Sequence, residues 1–322
     1  MQIKKKIVTI GGGSGQYVLL SGLRDLEEIE ITAIVSMVDS GGSTGRLRDE
    51  FGILPPGDVL KCLLALSPDR EVARKIMQTR FNSQSRLNGH NAGNMLLSIL
   101  SQYTGSFPEG IKALAQILNV KGEVLPVTTD RATLVAELTD GSRLYGETAI
   151  DLPRGDQREK IKNAYLVPHH SEAVKVYPPV LEAIARADYI IIGPGDLYTS
   201  IIPNFLVPGV KVAIEQTKAR ILYIINLMTK FGETHGFTCR HFVSEIEKFI
   251  EKKLDYLIIN TAQPEPEILA EYQKQKAHFI AEQDDLSDYQ VVREDLLETA
   301  GGIIRHDFKK LANLISRLIN NL

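Results

Sequence analysis

With 322 residues, 43% of them hydrophobic, the chain carries enough apolar surface for one large core or two smaller ones. A net charge of −3 and a pI near 6.2 supply no overall positive field, which argues against a general nucleic-acid binder and requires any bound anion to be held locally. Cys62 and Cys239 lie far apart without metal-site spacing and read as buried thiols, and the apolar run after the basic start is too short for a signal-peptide core or a membrane span. By elimination these features lead to an expected cytoplasmic location.

Residues 7–10 form a β-branched run that stops at glycines, and the apolar period over 18–26 predicts a helix after it. A second strand is predicted over 29–38, ending at another polar, glycine-rich loop. Helical patterns follow over 56–66, 71–81 and 94–103. After a helix over 110–118 come predicted strands at 123–128, 132–139 and 142–149, the last two joined by the turn Asp140-Gly141. These read as a β-rich insertion over 119–178 within a single α/β domain spanning 1–322. Beyond Val180 helices and strands alternate: helix 179–187, strand 189–192, a helix around Leu206, strand 221–226, helix 239–252 and strand 256–261. Strands spaced by helices predict a parallel sheet. The acidic stretch 282–288 reads as a solvated loop and 308–322 as an amphipathic helix.

The first loop, Gly11-Gly12-Gly13-Ser14-Gly15, carries the clearest chemistry. Backbone N–H groups approach a phosphate closely only where Cβ atoms do not crowd them, and a helix start adds unpaired donors and a positive dipole end. The run is neither the dinucleotide G-x-G-x-x-G nor the P-loop, and a plain strand-to-helix turn is its bland reading. In the second loop, Asp39 can face a ribose hydroxyl or a metal, or cap its own turn, with Ser40, Gly41, Gly42, Ser43 and Thr44 around it.

Three later clusters also follow strands. Gly193-Pro194-Gly195-Asp196 permits close approach, Tyr198 can stack on a base or sugar, and Thr199 and Ser200 can bond phosphate. Asn226, Thr229 and Glu233 stand at the carboxyl end of another strand. Asn94 is equally an N-cap and a ligand donor. His169-His170 would point to opposite faces of a strand and reads as exposed loop histidines. Arg305, after Gly301-Gly302, can grip a diphosphate bidentately or remain a surface charge.

Read together, the runs 11–15, 39–48, 55–60, 93–94, 193–204, 226–238 and 304–307 resemble the YvcK-type gluconeogenesis factors of the CofD-like superfamily. The similarity covers nearly the whole chain in the same order. It implies a three-layer α/β/α Rossmann-like parallel sheet. It also implies a cytosolic protein that binds UDP-N-acetylglucosamine and is needed for normal cell shape and envelope synthesis on gluconeogenic carbon sources. On this reading the diphosphate lies on the first loop and Arg305, and the uridine or sugar lies between the second and third loops. The chain is then a sensor with room for a regulatory protein partner, a kinase or a second copy of itself.

The enzymatic relatives in that superfamily are 2-phospho-L-lactate transferases, which move a phospholactyl group onto a deazaflavin in coenzyme F420 synthesis. They carry a different third loop. Ser40 and Asp196 also depart from the family pattern, and one carboxylate fewer at the second loop weakens a Mg²⁺ site there. In the competing transferase reading Asp39, with Mg²⁺, stabilises charge on the transferring phosphate while Asn226, Thr229 and Glu233 position the acceptor. An NAD(P) dehydrogenase fits least, since Gln16 stands where the fingerprint needs glycine or alanine.

Overall fold

In the computed structural model, residues 4–51, 53–82, 87–281 and 284–321 are described. The chain opens with β1 (Lys5–Gly11), α1 (Gly13–Leu23), β2 (Ile29–Val35), α2 (Gly42–Phe51), α3 (Gly57–Leu66), α4 (Arg70–Met77), α5 (Ala92–Thr104), α6 (Phe107–Ile117) and β3 (Glu123–Pro126). It continues through β4 (Ala132–Leu138), β5 (Arg143–Tyr145), α7 (Glu147–Asp151), β6 (Ile161–Pro168), α8 (Pro178–Arg186) and β7 (Tyr189–Ile192). A π-helical turn over Leu197–Ile201 leads into α9 (Ile202–Phe205), α10 (Val210–Gln216), β8 (Arg220–Ile224), α11 (Cys239–Ile250), β9 (Tyr256–Asn260) and α12 (Pro266–Lys274). The last elements are β10 (Gln290–Glu294), β11 (Leu297–Glu298), β12 (Arg305–His306) and α13 (Phe308–Asn321).

Seven strands form one parallel sheet in the order β10-β9-β8-β7-β1-β2-β3. Its inner strands are buried on both faces, which is why they read as continuous β-branched runs with no polar alternation. Every residue of β7 and β9 is buried, and α1, α3, α8 and α11 turn apolar faces onto the sheet and share its core. The fold is therefore the expected α/β parallel sheet with flanking helices and a small antiparallel insertion.

The insertion is smaller than 119–178. Residues Glu123–Pro126 pair in parallel with Thr32–Val35 and form the edge of the main sheet, so only β5-β4-β6 make the separate antiparallel sheet. A four-residue strand followed by other strands gives no sequence signal of which partner it takes. Within the insertion, Gly146 at φ +86° ends β5 and starts α7 where strand was expected to continue to 149. Among the described residues, no single helix is long and apolar enough to cross a membrane.

Candidate functional site at the carboxyl edge of the sheet

After β1 the chain builds outward to β3, and it later returns beside β1 to lay down β7, β8, β9 and β10. The strand order thus reverses between β1 and β7, the position where open α/β sheets hold ligands. Two glycine-rich loops leave the sheet there side by side. Gln16 secures the first, its buried amide donating to the Thr9 hydroxyl at 3.1 Å and to the Ile34 carbonyl at 3.2 Å. Asn204 secures the third, its amide reaching the carbonyls of Gly11, Ser200 and Ile201.

The glycines of the first loop have separate reasons to be glycine. A side chain on Gly12 would meet Asp58 Oδ2 at 2.7 Å and Ser200 at 3.5 Å, and one on Gly15 would run into the backbone of Pro194 and Gly195. Gly13 has φ +64°, a left-handed conformation that L side chains rarely adopt. Gly11 is ordinary extended strand with room for a side chain beside Gln16. So the run lets two loops close on each other as well as baring N–H groups at the start of α1.

Between these loops and the C-terminal hairpin opens a cleft of about 640 Å³. Ser14, Gly15 and Tyr17 line one wall, Gly195, Asp196 and Asn226 the floor, and Glu298 and the 303–306 segment the far side. Of the residues expected at the ligand, the structure brings together Ser14, Gly15, Gly195, Asn226 and Arg305. Arg305 is exposed and pairs with Glu298 at 2.8 Å. Lys61 and Arg74 add two cations that sequence reasoning missed, because helical Lys and Arg look like solvated faces until packing turns them into a cleft. Arg74 lies over the Tyr17 ring at 5.5 Å, and Tyr17 and Phe308 bring aromatic rings to the cleft in place of Tyr198.

Tyr198 is a correction. It is 1% exposed, packed in the core, and cannot stack on a ligand. Thr199 and Thr229 are likewise internal: Thr199 donates to Glu233, and Thr229 accepts from the His278 N–H at 2.9 Å. Glu233, 1% exposed, also accepts the Tyr198 N–H at 3.1 Å and pairs with Lys230 at 3.3 Å. It anchors the π-helical turn and does not face an acceptor site. Burial, reinforced by Asp196, pushes its carboxyl up to about 8 against the opposing charge of Lys230. Lys230 also joins Asp151 of α7 to Asp196. Burial works against its charge, but the carboxylates of Glu233, Asp196 and Asp151 prevail and hold it firmly protonated. Polar residues after a strand suggested a crevice; here they fasten the loop that forms one.

The second loop occupies an adjoining recess. Asp39 accepts the Gly41 N–H at 2.9 Å, and a side chain on Gly57 would meet Asp39 Oδ2 at 2.8 Å. Burial and then the charge of Asp58 raise the Asp39 carboxyl above its ordinary range. Asp58 pairs with Lys61 at 2.9 Å, which links the recess to the cleft. Ser40 bonds Glu147 and Thr148 of α7, and burial together with the charge of Asp39 raises Glu147. Gly42 opens α2 with φ +45°. Ser43 meets His90 Nδ1 at 3.0 Å. Asn91, not Asn94, caps α5; the Asn94 amide points to Ser43 and Thr44. A second carboxylate thus stands near Asp39, contributed by Asp58 of α3 and not by position 40.

Residues 7–297 match the family model described as 2-phospho-L-lactate transferase CofD. A Thermotoga maritima protein is 42% identical over 319 residues, covering 97% of this chain and 99% of its own length. The gluconeogenesis factor of Bacillus subtilis is 38% identical over 320 residues, covering 98% of each chain. A crystal structure of a UPF0052 family member from Bacillus halodurans superposes with a TM-score of 0.90 at 37% identity, covering 97% of this chain and 99% of that one.

Proposed function

The chain belongs to the CofD-like family of gluconeogenesis factors, and on that premise we propose that it is a cytoplasmic sensor that binds the nucleotide sugar UDP-N-acetylglucosamine. In this role it supports normal cell shape and envelope synthesis during growth on gluconeogenic carbon. The observation that carries the reading is the cleft at the switch point, where an α1 start opens between Lys61, Arg74 and Arg305. A diphosphate needs backbone donors and cations, and this cleft offers both. Tyr17, with Arg74 on one face, gives a ring for the base or sugar. Titration calorimetry of the purified chain with UDP-N-acetylglucosamine tests it: saturable binding supports the reading, and no binding of any nucleotide sugar ends it. A thermal-shift screen gives the same answer, because a ligand at about 100 times Kd adds about 2.7 kcal/mol of stability.

One observation favours a second reading. Asp58 beside Asp39 restores a carboxylate pair, so a phospholactyl transferase remains chemically equipped at the recess. There Asp39 and Asp58 would hold Mg²⁺, and the ion would supply charge neutralisation for passage of the phospholactyl group to a deazaflavin hydroxyl with a nucleoside monophosphate as leaving group. Incubation with a lactyl nucleoside-diphosphate donor, deazaflavin and Mg²⁺ separates the two. Product above background favours the transferase.

A further inference from the structure

Three buried polar atoms around the cleft have no hydrogen-bond partner among the described residues: Ser21 Oγ on α1, Asn226 Oδ1 after β8 and His306 Nε2 on β12. Ser21 is 2% exposed and His306 5%, and buried polar atoms are ordinarily satisfied. The rest of each side chain is already committed. Asn226 spends its amide N–H on the Gly195 carbonyl at 2.8 Å, which leaves the oxygen as its free end. His306 gives a ring N–H to the backbone of Ile225, so Nε2 carries the lone pair. Burial lowers its pKa to about 4 and keeps the imidazole a neutral acceptor.

We propose that these atoms form a hydroxyl-reading subsite, in which Asn226 Oδ1 and His306 Nε2 accept hydrogen bonds from the vicinal diol of a ribose or hexose and Ser21 Oγ completes the set. The chemistry selects the class. Phosphate oxygens offer only acceptors and would face acceptors. A uracil imide brings one N–H between two carbonyls, again the wrong complement. Adjacent hydroxyls bring two donors to the two acceptors and keep lone pairs for the serine. The subsite deepens the nucleotide-sugar reading and rests on it.

The test is calorimetry on the full chain with UDP, its 2′-deoxy and 3′-deoxy forms, UDP-N-acetylglucosamine and its 4-epimer, repeated on His306→Phe. Loss of the hydroxyl that meets His306 should weaken wild-type binding about tenfold and leave His306→Phe indifferent to that loss. Sensitivity to the deoxy sugars assigns the contact to ribose, and sensitivity to the epimer assigns it to the hexose. Equal weakening of every ligand by His306→Phe, or a wild-type response to each lost hydroxyl in that variant, overturns the subsite. Ser21→Ala, which removes only an unpaired hydroxyl, supplies a second cycle should His306→Phe not fold. If wild type binds no UDP-sugar, the sensor reading falls. The cycle run with GDP and its deoxy forms then decides the subsite, and no discrimination there overturns it as well.

Discussion

A Cβ on residue 15 would stand 2.3 Å from the carbonyl oxygen of Pro194, so Gly15 and Pro194 touch backbone to backbone where the two glycine-rich loops leave the sheet. No rotamer relieves that overlap. Gly15→Ala must push α1 and the third loop apart, at a cost of about 1–3 kcal/mol or more. The melting temperature should fall by several degrees and nucleotide-sugar affinity should fall with it. An unchanged melting curve would show that the loops separate freely.

Gly13 makes the sharper test of the phosphate cradle, because a Cβ there meets only Ser200 Oγ, at 3.3 Å. Gly13→Val forces a β-branched residue into φ +64°, a strain of about 1–3 kcal/mol, and covers the N–H groups that open α1. Circular dichroism should stay near native while UDP-N-acetylglucosamine binding disappears. Calorimetry showing undiminished affinity would remove this loop from the site.

Arg305 is joined to the fold by one exposed ion pair with Glu298, and such pairs contribute little to stability. Arg305→Ala should therefore leave the melting temperature nearly unchanged. If the guanidinium grips the diphosphate, the same variant loses about ten- to hundredfold in affinity. Lysine should restore only part, since an ammonium lacks the planar fork. Glu298→Gln should tighten binding severalfold by releasing the guanidinium, and equal affinities across all four proteins would return Arg305 to a surface role.

The contrast between Arg305 and Tyr198 marks what was legible in the sequence. Strand ends were legible because buried parallel strands are β-branched runs closed by glycine, and the loops of the crevice sit on those ends. Tyr198 and Glu233 looked like ligand groups for the same positional reason, yet one faces the core and the other bonds the turn from behind. Direction of a side chain after a strand is set by the loop's own fold, here a π-helical turn. Asp58, Lys61, Arg74 and Glu147 were invisible as site residues because helices packed from elsewhere in the chain bring them in. His306 hid beside Arg305, since alternation along β12 buries one and exposes the other.

Two buried groups give the stability opposite pH slopes. His306 has its pKa lowered from 6.5 to about 4, so between those values the unfolded chain binds more protons and stability falls as pH drops, by up to roughly 3 kcal/mol. Glu233 is raised from 4.5 to about 8, so the stability it contributes is full below 4.5 and is lost as pH rises through 8. Between 4.5 and 6.5 the two slopes oppose each other, so urea unfolding should show His306→Phe losing stability as pH rises from 4.5 and Glu233→Gln flattening the limb above 6.5. A variant that shifts its whole curve without changing slope would exclude titration of that group as the cause.

Asp39 gives the last test, because it is held against another carboxylate with one ammonium between them. Burial, and then the charge of Asp58, raises its pKa, while Lys61 and the hydrogen bonds from Gly41 and Thr44 offset part of that cost. A raised carboxyl contributes stability that is lost as pH rises through its folded pKa, so ionising Asp39 costs the folded chain stability. Asp39→Asn keeps an acceptor for Gly41 and cannot ionise, so without metal its stability should fall less than that of the wild type as pH rises. Mg²⁺ neutralises both carboxylates where one lysine does not, so millimolar Mg²⁺ should raise the wild-type melting temperature and leave Asp39→Asn unmoved. Equal Mg²⁺ responses in the two proteins would take the ion away from this recess. With it would go the strongest support for group transfer here, since Mg²⁺ is the usual means of balancing charge on a phosphoryl group in transfer.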